Sequence, residues 1–257
     1  MPGLGVIVNV LAIVVGSFIG LAVGRLIKKR VREGILQVQG LAVIVIGMMG
    51  SISALADLSS YPGALGRYAI VIFLISLIIG TLIGEALALE TRLKHMGKVL
   101  QRYVQSKWPG KAQNVGGRFS QDKFASGFIT ASLVYCVGAM AVLGSIQDGL
   151  GNPDTLFIKA LLDGTISVFF ASTLGIGVMF SIIPLFIMQG SIALIAFTIG
   201  DVIPTVAITG LAAVGGVLIA GIGLNLATGL KLRIGNMLPA VFVALALVWV
   251  LSEVLTI

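Results

Sequence analysis

Residues 4–24 read LGVIVNVLAIVVGSFIGLAVG, and the eight that follow, RLIKKRVR, carry five positive charges. A run of roughly 20 apolar residues is what a helix needs to cross the hydrocarbon core of a bilayer. The first stretch therefore reads as a transmembrane helix, and its basic stop marks the cytoplasmic end. No basic residue precedes Arg25 and the apolar run is longer than the core of a secretion signal, so the segment is expected to stay as the first span.

The rest of the chain repeats this pattern. Of its 257 residues, 58% are hydrophobic and 11% charged, and the mean hydropathy is +1.11. A soluble domain carries about 25% charged residues, so a soluble globule is excluded. Apolar runs predict eight spans, at about 4–24, 35–56, 68–90, 124–146, 157–181, 183–200, 205–229 and 237–256. The fold class is all-α, a polytopic integral membrane protein of about eight transmembrane helices, with residues 1–257 forming a single membrane domain.

Charge orients the spans. Fifteen of the 17 Lys and Arg residues fall in the first loop, in residues 92–123 and at Lys231 and Arg233, leaving only Arg67 and Lys159 elsewhere. Alternate loops are thus cytoplasmic and both termini lie outside. The net charge of +7 sits in membrane loops, so nucleic acid is not an expected partner. Ser181-Ile-Ile-Pro184 is the open point: the two central segments meeting there either both span or form one broken, re-entrant pair, and the loop charges permit either.

Within the cytoplasmic loop 92–123, Leu93, Met96, Leu100, Tyr103 and Val104 recur at helical spacing among Arg92, Lys94, Lys98, Arg102 and Lys107. This describes a basic amphipathic helix lying on the inner leaflet. His95, the only histidine, reads as a solvated residue on it. One histidine and one cysteine, Cys136, offer neither a metal site nor a disulfide. No phosphate-binding loop and no base for a serine nucleophile appear, so neither an enzyme nor a cofactor is expected.

Small residues form ridges at Gly16, Gly20 and Gly24, at Gly80, Gly84 and Ala88, and at Ala212, Gly216 and Ala220. Such ridges let helices approach closely, within the chain or across a homo-oligomer. Polar side chains inside spans are functional candidates, because lipid makes them expensive. They are Asn9, Gln147, Asp148, Asp163, Gln189 and Asn225, with Ser132, Ser172 and Thr173 among the hydroxyls; Glu85 reads as pairing with Arg92 or Lys94 near the interface. Lys159 precedes Asp163 by one turn, which offers a local ion pair.

Residues 124–150 (FASGFITASLVYCVGAMAVLGSIQDGL), with Asp163-Gly164, residues 170–177 (FASTLGIG) and Gln189-Gly-Ser191, resemble the bacterial membrane family catalogued as domain of unknown function 554. The resemblance covers essentially the whole chain and implies a bacterial inner-membrane protein, without naming an activity. The resemblance implies a proline at position 139, where this chain carries Ala139, which weakens the expectation of a rigid kink at that point.

The reading favoured by the residues is a secondary transporter of a small solute, with Asp148 or Asp163 as the candidates for coupling it to sodium or protons. Its site would lie in the central broken segments, with Asn9 and Asn225 contributing from the flanking helices. With no embedded arginine, a neutral or cationic solute is the easier substrate. The alternative is a non-transporting scaffold or sensor acting through the basic amphipathic helix.

Overall fold

The computed structural model describes residues 2–24, 28–92, 121–136, 139–199 and 204–255, with isolated positions 95, 99 and 102. The main helices are α1 (Leu4–Val23), α2 (Lys29–Ser59), α3 (Ala64–Arg67), α4 (Ala69–Ala86), α5 (Gln121–Cys136), α6 (Ala139–Gly149), α7 (Asp154–Leu174), α8 (Gly177–Phe180), α9 (Ile182–Ile199), α10 (Thr205–Thr228), α11 (Ile234–Met237) and α12 (Pro239–Leu255). No strand occurs among the described residues. Most of the stretch expected to form the amphipathic helix lies outside them, as does Gly138; His95, Val99 and Arg102 are helical and exposed.

Seven of these stretches are long and apolar enough to cross a membrane by themselves. α5 and α6, whose axes meet at 63°, pass the same test together as one bent pair. Gly127 of α5 lies against Leu174, at one end of α7, and Gly144 of α6 lies against Leu156, at the other. The bent pair thus traverses the same thickness as α7, whose 21 residues extend about 31 Å.

The turn between the two central segments is at Gly175-Ile176, not at Ser181–Pro184. Gly175 has φ 87°, a left-handed value glycine adopts without strain, and it ends α7. Pro184 instead sits in the first turn of α9, where a missing N–H removes no helix bond. Residues Gly177–Thr198 form one apolar span of 22 residues. The re-entrant alternative falls, because both segments reach from the level of Phe124 to that of Gly149.

Helix approach in lipid relies on close packing of small residues more than on a hydrophobic driving force, and all three ridges are used inside the chain. A Cβ on Gly16 or Gly20 would collide with the carbonyls of Gly164 or Val168, and one on Gly24 would stand 2.7 Å from the Ser172 oxygen. These matched, rising numbers make α1 and α7 a parallel pair. Gly40 and Gly47 of α2 meet Gly223 and Gly216 of antiparallel α10, and Gly80 and Gly84 of α4 meet Ala240 of α12 and Asn236 of α11.

These pairings sort the helices into two groups. One comprises α1 and α5–α9; the other comprises α2–α4 and α10–α12. Helices within each group pack along their lengths, while contact between groups is sparse and runs mainly from α7 to α2 and from α5 and α6 to α10.

Candidate functional site

The polar residues of α1, α7 and α9 meet between these helices. Asn9 Nδ2 donates to Asp163 Oδ2 and to Gln189 Oε1, each at 3.2 Å, and Lys159 Nζ donates to the same Asp163 oxygen at 2.5 Å. Asn9 and Gln189 are 0% exposed, Asp163 4% and Lys159 7%. The i,i+4 ion pair expected from spacing is therefore present, but it lies inside the protein and not at an interface. An uncompensated charge at such a position is costly, so pairing is what makes the burial tolerable. Two neighbouring polar atoms, Asn9 Oδ1 and Gln189 Nε2, have no partner.

One turn further along α7, Ser167 Oγ donates to the Asp163 carbonyl and shares a 2.7 Å hydrogen bond with Tyr135 Oη. Both side chains are fully buried. The face of α7 at 159, 163 and 167 is thus a polar stripe tied to α1 and α5, and through Asn9 to α9.

This stripe opens on a cleft of about 430 Å³ between the two helix groups. Lys159 and Asp163 stand on its α7 wall. Val43 of α2, Val134 of α5, Leu143 of α6 and Ile208 and Ile219 of α10 make most of the remaining surface apolar, while Ser53, Asp57, Thr205 and Thr209 add polar groups. Volumes of roughly 300–1,000 Å³, largely apolar with a few placed polar groups, are typical of small-molecule sites. Among the described residues no group of three or more His, Cys, Asp or Glu side chains is placed to hold a metal.

Several expected site residues have structural work elsewhere. Asp148, expected beside Asp163, is fully buried at the start of α1, where its two carboxylate oxygens accept the N–H groups of Gly5 and Val6 at 2.9 and 3.0 Å. It supplies from α6 the cap that α1 lacks locally, since Gly3 has no side chain. Gln147 accepts a hydrogen bond from Thr155 across the α6–α7 turn. Ser132 bonds the carbonyl of Phe128 one turn back, and Ser172 that of Phe169. Thr173 does likewise with Phe169 and Phe170, and also meets Gln39 of α2 at 3.4 Å. Asn225 lies at the far end of α10, where its amide brackets both the N–H and the carbonyl of Leu232 at 2.9 Å, closing the loop to α11. Glu85 pairs with Arg233 at 2.9 Å, a partner brought close by α4–α11 packing.

Sequence comparison fits this architecture throughout its length. The profile of the family described as "Protein of unknown function (DUF554)" matches residues 4–249. The chain belongs to the DUF554 family. It is similar to "Uncharacterized membrane protein YdfK" of Bacillus subtilis (strain 168), with 30% identity over 248 residues and 96% of each chain covered. It is also similar to "Uncharacterized protein YqgA" of Escherichia coli (strain K12), with 28% identity over 251 residues and 95% of each chain covered. No solved structure matches it.

For this DUF554 chain the geometry adds Lys159 to the candidate site, together with Tyr135, Ser167 and Asp57 around it. From the sequence Lys159 reads as the ion-pair partner of Asp163 and not as a site residue, because a span starting at residue 157 leaves the lysine at a helix end. Starting α7 at Asp154 places it more than one turn inside. Its embedded ammonium also removes the objection to anionic solutes.

Proposed function

We propose that the protein is a secondary transporter of a small solute in a bacterial cytoplasmic membrane, with both termini outside and residues 92–123 in the cytoplasm. The observation that carries this reading is the buried Lys159–Asp163 pair on the wall of a cleft at the junction of two sparsely contacting helix groups. A scaffold would gain nothing from keeping such a pair beside an open cleft, where replacement by packed apolar side chains is often neutral or stabilising. The sparse junction supplies a surface along which one group can tilt against the other, closing the cleft on one side and opening it on the other. Asn9, Gln189 and Asp163 form the polar end of the site, and Lys159 faces the cleft.

A thermal-shift screen of small solutes on purified protein, followed by counterflow of each stabilising solute in proteoliposomes, tests this. Exchange of a stabilising solute, lost in Lys159→Met, is the expected result. A folded, reconstituted protein that exchanges none of them is a non-transporting scaffold or sensor. For the topology, a cysteine placed at position 110 in a Cys136→Ala background resists impermeant maleimide in intact cells, whereas external labelling there overturns the orientation.

A further inference from the structure

We propose that the solute is a small carboxylate with an apolar body, and that it is carried together with a proton held on Asp163. This rests on the transport reading and deepens it, by assigning the charge of the cargo and the coupling ion.

Lys159 supplies the anion contact. An ammonium has three N–H donors, and among the described residues only Asp163 accepts one from Lys159. The others are free to take a carboxylate, whose body would rest against Val43, Ile166, Ile208 and Ile219. In the empty site Lys159 and Asp163 neutralise each other. An arriving carboxylate takes Lys159 and leaves Asp163 as a second, uncompensated negative charge in a buried position, which is strongly unfavourable. Binding therefore requires a positive charge on or beside Asp163.

The surroundings of Asp163 select a proton over a metal ion. Its oxygen is approached by N–H donors, Asn9 Nδ2 and Lys159 Nζ, where a bound cation would need oxygen ligands. A protonated Asp163, in contrast, needs an acceptor, and the amide pair holds one in reserve. Asn9 Oδ1 and Gln189 Nε2 are both buried and unpartnered. A half-turn of each amide brings Asn9 Oδ1 to Asp163, where it accepts the new O–H, and brings Gln189 Nε2 to the same oxygen as a second donor. The two amides thus serve the carboxylate in one setting and the carboxylic acid in the other.

The other titratable groups near the pair, among the described residues, come from α2, α5 and α6. Tyr135 on α5 is hydrogen-bonded to Ser167, and Cys136 on α5 lies within electrostatic reach of both Lys159 and Asp163. Asp57 on α2 stands across the cleft, and Asp148 on α6 is committed to the start of α1. From α1 and α9 the site receives amides, and from α10 the hydroxyls of Thr205 and Thr209. The cycle balances: one carboxylate anion and one proton enter, the site stays neutral throughout, and on release the proton leaves Asp163 and the Lys159 pair re-forms.

The test is calorimetric binding of lactate, hexanoate and hippurate to purified protein, each in two buffers of different ionisation enthalpy, with hippuramide and phenethylamine as neutral and cationic counterparts. At least one carboxylate should bind with uptake of about one proton, its apparent Kd rising about tenfold per pH unit. Asp163→Asn, a fixed mimic of the acid, should bind the same carboxylate without proton uptake and independently of pH. The doubly neutral variant Lys159→Met with Asp163→Asn, which leaves no unpaired charge, should fold and bind none. Carboxylate binding without proton uptake, binding retained in the double variant, or binding of phenethylamine or hippuramide in place of every carboxylate each overturns the inference. In the last case the transport reading stands if the bound compound undergoes counterflow. Proton-linked carboxylate binding without counterflow has the opposite meaning: the site chemistry holds and the transport reading fails.

Discussion

Replacing Asp148 tests whether this carboxylate is structural. Its two oxygens hold the N–H groups of Gly5 and Val6 at 2.9 and 3.0 Å in a site with no exposure. Asp148→Ala leaves two buried donors without acceptors, each costing roughly 1–3 kcal/mol. It also removes a negative charge from a helix start, worth about 0.3–1 kcal/mol. The variant no longer buries a carboxylate, which offsets part of the loss, so the net destabilisation is about 3 kcal/mol. At roughly 2–4 °C per kcal/mol for a chain of this size, the apparent Tm in detergent should fall by about 6–12 °C. Asp148→Asn keeps one acceptor and should lose about half as much. Both variants should retain solute response in whatever protein remains folded. An alanine variant melting within about 1 °C of wild type, or a folded asparagine variant that has lost ion-dependent transport, would refute the capping role and return Asp148 to the site.

Gly20→Leu should prevent folding, because its side chain must displace the Val168 carbonyl across the α1–α7 contact, whereas Phe18→Ala, at a position 60% exposed, should leave detergent stability nearly unchanged. Asn9→Leu removes the bonds to both Asp163 and Gln189 and leaves the buried Gln189 amide without a partner, so it should cost about 2–4 kcal/mol and should abolish counterflow of any solute that the wild type exchanges. Asn225→Ala should loosen the turn at 229–233, read as faster amide exchange at Leu232, with a stability loss of about 1–2 kcal/mol. Glu85→Gln should shift stability by less than about 1 kcal/mol, because its pair with Arg233 is largely exposed; a larger loss would show that the pair organises the α4–α11 contact.

The sequence by itself determined the membrane class, the approximate positions of the apolar segments, the alternation of basic loops and the glycine ridges. These follow from transfer energies that each residue contributes locally and from the period of a single helix. It also showed that Lys159 can reach Asp163, because both lie on one helix face. Tertiary structure decided what each polar residue meets. Asn9 finds Asp163 and Gln189 across 154 and 180 residues, and Asp148 finds α1 across 142 and 143, through the register and depth at which helices pack. A helix's own periodicity leaves that register open. Asp148 and Asp163 therefore look equivalent in sequence, each an acid in a glycine-rich apolar stretch, yet one is satisfied by a helix start and the other by a lysine on a cleft. The place of the central turn was decided in the same way. Pro184 was the more conspicuous helix breaker, but a proline in the first turn of a helix breaks nothing, and the chain reverses at Gly175, whose positive φ the packing of α7 against α5 and α8 makes usable.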